Sequence, residues 1–489
     1  MKKKLSFWLG FFLVAFLTVF VWHRLLRQAF LGEGSMYLAE PYATKIFGSP
    51  LWYIIKRHDL QALLFFRVFG NIARDNMKFY FGFILVAITF VHISIFATVK
   101  EATKSVVAGV ISASLFIVSF VGNFQMLAQG VYPYFIQRVP NFFLAFFSFV
   151  FLIKFFNTKK IKYYLTSFIF YAVALTLAKY SFLFLPVILL YIFLSCVLEN
   201  SRDYRNWLRG VLYILPFALW NLPFLINPTL EPSTQSFPQF LFSVRNELIS
   251  DILTRMTVMT IPSAVITFIS KASKGAYSYS NVLSDLSYLI GALYLGITGF
   301  IVIKYKKLRA FIISIFLSIP ASIVMVLYMR LSIIYENISS RYLYSAAMFV
   351  SIFWGLFFYL IFKKNKLLKI IIPTFLICLF IYQRSIILKY FDKYQPNFDE
   401  ALSTISFIKS NYKNFSDDSL IILSKNLSIY HGQMFDRFYG ERNVEYLPET
   451  TKDADIKILL KQRAFKNQKV FKLVYDSGKI SLQEKQIKP

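Results

Sequence analysis

Acidic side chains are scarce in this 489-residue chain, where 25 Asp and Glu stand against 54 Lys and Arg. Charge of both signs is thin: 16% of residues are charged, against roughly 25% in soluble domains. The two cysteines, Cys196 and Cys378, both lie inside apolar runs. A disulfide framework is thereby excluded, and the four histidines are too scattered to complete a Cys/His metal spacing. No Gly-rich phosphate loop and no nucleophile elbow occurs. What fills the chain instead is apolar, 57% hydrophobic and 19% aromatic.

Apolar runs near the roughly 20 residues that span a bilayer recur from Leu5 to Leu388. The expected fold class is all-α and polytopic, because barrel strands would alternate in short segments. Arg24 and Arg27 follow the first run at once and no small-residue cleavage site is present, so that run reads as a retained helix. A net charge of +29 would suit a nucleic-acid partner if it were gathered on one surface. Here the Lys and Arg fill short gaps between apolar runs, so no nucleic-acid partner is expected and the charge reports membrane orientation.

The gaps order the topology. Lys2 to Lys4, Lys100 and Lys104, Lys159 to Lys162, Arg202 to Arg209, Lys304 to Arg309 and Lys363 to Lys369 fall on one side if about eleven helices are counted. These are Leu5 to Trp22, Phe79 to Val99, Ser105 to Gly122, Val139 to Phe156, Tyr163 to Ala178, Ser181 to Leu198, Gly210 to Ile226, Leu286 to Ile303, Ala310 to Tyr328, Leu343 to Phe362, and Lys369 to Leu388. The positive-inside rule then puts the amino terminus in the cytoplasm and the tail outside, as in a multi-pass protein of a bacterial plasma membrane.

Two long outer loops follow from this count, His23 to Lys78 and Asn227 to Asp285. Both carry apolar spacings that predict interfacial helices, the second at Leu241, Val244, Leu248, Ile252 and Met256. Residues 1–388 form the expected membrane domain. Residues 389–489 read as a small extracytoplasmic α/β domain, with helices near Asp399 to Ser410 and Leu427 to Phe438, a strand SLIILS, and a closing hairpin turned at Asp476 to Gly478.

Ionisable groups at the outer boundary are costly and by default functional. Arg138, Lys179, Arg330 and Arg341 stand there against the positive-inside rule, and guanidinium groups suit phosphate. Snorkelling to lipid headgroups is the bland alternative for Arg138 and Arg330, and pairing with Glu336 for Arg341. In the first loop, Glu33 lies between Gly32 and Gly34 where the first helix leaves the membrane. It reads either as a solvated loop acid or as a carboxylate kept clear of bulk by its glycines. His58 and Asp59 are sequence neighbours, which do not face each other on a helix, and are candidate substrate contacts.

Taken in order, GEGSMYL, KRHDLQALLFFRVFG, FIQRVPNFFLAFFSFVF, LAKYSFLFLPVILLY and SSRYLYSAAMF resemble motifs of the C-type glycosyltransferase fold (GT-C), especially its O-mannosyltransferase-like bacterial members. The pattern departs from the family in three places: the first-loop acid is single, Tyr180 replaces an acid after Lys179, and the acid common in the second outer gap is absent, with Gln125 and Gln129 nearby.

The resemblance implies a GT-C-like bundle in which Glu33 is the catalytic base and Arg138, Lys179, Arg330 and Arg341 bind the donor phosphate. The implied donor is a polyprenyl-phosphate-linked sugar; the acceptor is a lipid, glycan or protein, and transfer occurs on the outer face with inversion. No cofactor is expected, and the residues do not support a divalent metal. Three other readings stay open: a flippase or transporter of lipid-linked sugars, a glycan ligase or polymerase, and an inactive relative.

Overall fold

A computed structural model describes residues 2–31, 70–119, 134–177, 179–198, 204–226, 248–261, 269, 279–329, 343–363, 367–415, 419–424, 426–427, 429–439, 444–463, 469–476 and 479–485. Among these, eight helices are long and apolar enough to cross a membrane. Three shorter apolar helices, Val106–Ile117, Ile161–Leu177 and Leu208–Leu219, stand at the remaining expected positions. The chain is a helical membrane protein with a small C-terminal sheet.

The first helix, α1 (Lys2–Trp22), is followed by a 3-10 turn, His23–Arg27, and α2 (Met77–Thr103) is the next long helix. Asn76 caps α2 by accepting from the Phe79 N–H. Its far end stops at Lys104, whose left-handed φ of 59° turns the chain. Ser105 then caps α3 (Val106–Ile117). Further on come α4 (Tyr134–Thr158), α5 (Ile161–Leu177), a 3-10 helix Lys179–Phe184, α6 (Leu185–Leu198) and α7 (Tyr204–Ile226). After α8 (Leu248–Thr260) the bundle is completed by α9 (Tyr279–Lys304), α10 (Arg309–Met329), α11 (Tyr344–Phe362) and α12 (Leu368–Asn411).

Composition alone does not say which helices are central, since all are apolar. Burial does: 72% of the apolar window is buried in α2 and in α11, against 28% in α1 and 17% in α12. Close approach is achieved with small residues, as expected where lipid is as apolar as the partner helix. A methyl at Gly109 would meet the Phe96 carbonyl at 2.6 Å, which binds α3 tightly to α2.

The second outer loop departs from expectation. Its described helix, α8, packs against α9, α10 and α11 and does not lie free in the interface. Arg255, Met256 and Thr257 are its buried residues. The Thr260 hydroxyl lies 3.0 Å from the Tyr294 hydroxyl, and the Trp354 indole donates to that same tyrosine at 2.9 Å. Tyr294 and Trp354 lie well inside α9 and α11. An apolar stripe cannot tell a lipid surface from a helical one, which is why the spacing misled.

The last long helix, α12, continues as one helix across position 388. The tail continues as β1 (Ser419–Ile422), α13 (Ile429–Tyr439), β2 (Glu445–Leu447), α14 (Asp453–Arg463), β3 (Lys469–Asp476) and β4 (Lys479–Glu484). The sheet order is β2-β1-β3-β4, parallel except for the closing hairpin, with Leu473 opposite Leu482. The central strand β1 is buried along its length, as a strand covered on both faces should be. Leu420 and Ile422 pack with Ile456 and Val470, while Ile421 joins the main core.

Candidate functional site

Glu33, His58, Asp59, Arg330 and Arg341 lie outside the described residues. Arg138 falls in the first two turns of α4, and Lys179 opens the 3-10 helix after α5. The residues flanking most of these positions are described, and they pack together.

Asn141, three residues after Arg138, donates to the Ser181 hydroxyl at 2.7 Å, and Ser181 lies two residues after Lys179. Ser181 in turn donates to the Ala174 carbonyl at 2.9 Å. This chain of buried hydrogen bonds ties the start of α4 to the step between α5 and α6. Phe142 then meets Phe184 at 5.6 Å, and stacks on Tyr344 at 5.6 Å and 18°. Tyr344 follows Arg341 by three residues. The Tyr344 ring also meets Phe116 edge-on at 5.2 Å. Val326, four residues before Arg330, packs with Leu183. Each of the four basic positions is thus within four residues of one contact network.

The network reaches the end of α1. The Trp22 indole donates to the Ile117 carbonyl at 3.0 Å, next to Phe116. Phe30 and Leu31, at the approach to Glu33, are buried, with the Phe30 ring 5.7 Å from Tyr80 and 5.2 Å from Phe81. The nearest described residue after His58 and Asp59 in the sequence is Gly70.

The tail contributes to the same end of the molecule. Arg24 pairs with Asp392, and Trp22 meets Phe391 edge-on. The buried His431 ring stands with Nε2 3.1 Å from the Phe30 carbonyl. Lys409 bridges to Asp75 at 3.0 Å, and burial together with the Asp75 charge pushes the Tyr439 phenol well above its ordinary pKa. Sequence reasoning missed Asn141, Ser181, Asp75, Lys409 and His431. Only Asn141 and Ser181 carried a signal, as polar residues within otherwise apolar stretches beside singled-out bases.

An apolar groove of about 480 Å³ opens between α5 and α7, lined by Phe168, Ala172, Thr176, Leu215, Pro216 and Leu219. It reaches Thr176, three residues before Lys179. Among the described residues no three His, Cys, Asp or Glu side chains gather as a metal set.

Compared with models of protein families and with curated proteins, the sequence matches none. A similar solved structure is the Archaeoglobus fulgidus oligosaccharyltransferase in its apo form, at 12% identity and a TM-score of 0.49, covering 96% of this chain and 69% of that one.

Proposed function

We propose that this protein is a membrane glycosyltransferase of the C-type fold, which transfers a sugar from a polyprenyl-phosphate donor to an acceptor hydroxyl on the outer face. The observation that carries this reading is the contact network that joins the neighbours of Arg138, Lys179, Arg330 and Arg341. Four cations on separate segments, disfavoured singly at this boundary, make chemical sense around one anion.

In this reading Glu33 removes the acceptor proton as the hydroxyl oxygen attacks the anomeric carbon. The bond to the donor phosphate oxygen breaks with inversion, and the four bases stabilise the charge left on the phosphate. The groove between α5 and α7 gives the prenyl chain an apolar seat, ending beside the Lys179 position. Hydrophobic contact along it holds the donor while the phosphate is read by charge.

The test is transfer of labelled sugar from polyprenyl-phosphate donors in proteoliposomes. Glu33→Gln is expected to lower kcat by roughly a hundredfold or more, and Arg341→Ala to weaken donor use. Full activity of Glu33→Gln would remove the general-base role. Donor movement across the bilayer without transfer would replace the enzyme by a flippase.

A further inference from the structure

We infer that the C-terminal domain positions the first outer loop by fastening both of its ends, with His431 as the positioning residue at the start and Lys409 at the finish. This inference rests on the reading of Glu33 given above. The start is held by a hydrogen bond across 401 residues of sequence, from His431 to the Phe30 carbonyl at 3.1 Å. A carbonyl oxygen only accepts, so Nε2 carries the proton. Both partners are buried, so water cannot substitute for either.

The helix that presents His431 is itself fixed. A methyl on the adjacent Gly432 would run into the Tyr446 side chain, so α13 lies flush on β2. The receiving side is fixed as well, with Phe30 set against Tyr80 and Phe81 of α2.

The finish of the loop is held separately. Asp75 accepts from Lys409 at 3.0 and 3.3 Å, with Tyr439 of α13 close by. Arg74 beside it has a left-handed φ of 48°, and its carbonyl accepts from the Tyr80 hydroxyl at 2.7 Å. The tail therefore fastens described residues on either side of positions 32–69 of the sequence, Phe30 before them and Asp75 after them. A tail that merely followed the last span would have no need to bury a histidine against the exit of the first.

The experiment uses the full chain in lipid nanodiscs, with His431→Ala, His431→Gln and Lys409→Ala. Amide exchange is read at residues 28–31 and 73–80, and transfer as separate kcat and KM. His431→Ala should speed exchange at 28–31 about tenfold, leave α4 and α11 unchanged, and lower kcat roughly ten- to a hundredfold with little change in donor KM. His431→Gln, whose amide donates from a similar reach, should recover both. Unchanged exchange overturns the fastening itself, and fast exchange with wild-type kcat overturns the positioning role. Should His431→Ala not fold, Lys409→Ala decides by the same pair of readouts at 73–80. If Glu33→Gln transfers like wild type, the catalytic reading fails while the exchange result still decides whether the ends are fastened.

Discussion

The Asn141 side chain donates to the Ser181 hydroxyl at 2.7 Å, both residues fully buried, and so fixes the start of α4 relative to the step between α5 and α6. Asn141→Leu would remove the bond that the Ser181 hydroxyl accepts, leaving only its own donation to the Ala174 carbonyl, and add volume in a packed region. A loss of about 1–3 kcal/mol is expected, read as a lower midpoint of thermal unfolding in micelles. Transfer should fall further than stability accounts for, because the segments carrying Arg138 and Lys179 lose their common reference. Equal falls in folded fraction and in transfer would show that the bond is structural only.

Gly355 on α11 faces Ser112 on α3 so closely that an added methyl would lie 2.6 Å from the Ser112 Cα. Backbone cannot yield as a flexible side chain does. Gly355→Ala is therefore expected to cost about 1–3 kcal/mol as overpacking, and Gly355→Leu to abolish the folded fraction on size exclusion. Gly299, with nothing within 4 Å of its added methyl, is the control: Gly299→Ala should be neutral or slightly stabilising.

Arg255 and Asp251 form a two-pronged pair one turn apart on α8, at 2.8 and 2.9 Å. Arg255 is buried and Asp251 a quarter exposed on its side chain. Arg255→Met alone leaves a carboxylate against the bundle and should cost about 1–3 kcal/mol, less than for a fully buried pair. Arg255→Met with Asp251→Leu should recover most of that loss. A double-mutant cycle in thermal unfolding measures the coupling, and strictly additive losses would show that the pair is not coupled.

Burial and the Asp75 charge raise the Tyr439 phenol pKa. The unfolded phenol releases its proton near pH 10, whereas the folded one retains it. Its contribution to stability is then complete below pH 10 and declines as pH rises beyond that. Unfolding midpoints followed from pH 8 to 11 should drop less in Tyr439→Phe than in the parent, and identical slopes would contradict this account.

Much of the bundle was legible in the sequence, for a plain physical reason. A bilayer demands long apolar segments and charges sort to their ends, so Lys100, Lys159 and Lys304 mark helix ends that the structure reproduces within a few residues. Strands of the tail were equally readable where they alternate or run apolar, as at Ser419–Ile422 and the hairpin of Lys469–Asp476 with Lys479–Glu484. The three-residue β2 and the polar helix α14 were not, being too short or too hydrophilic to mark a period. The candidate site was legible only as a set of charges that run against the positive-inside rule. What joins their neighbours, Phe142 on Tyr344 and Asn141 to Ser181, is long-range packing among residue types common everywhere in this chain. His431 gave no signal at all, since its partner is a backbone carbonyl 401 positions away.

The unbroken course of α12 makes the tail sensitive to phase. The helix spans 44 residues, about 66 Å at 1.5 Å per residue, so its C-terminal half acts as a shaft on which the sheet is mounted. One inserted residue in that shaft turns everything beyond it by about 100° and lifts it by about 1.5 Å. Seven restore the bearing to within about 20° but raise the mount by about 10 Å. Neither insertion adds or removes a side chain at Phe30 or His431, yet both would take the imidazole out of reach of its carbonyl. The length of this helix is therefore as much a part of the contact between His431 and Phe30 as either residue.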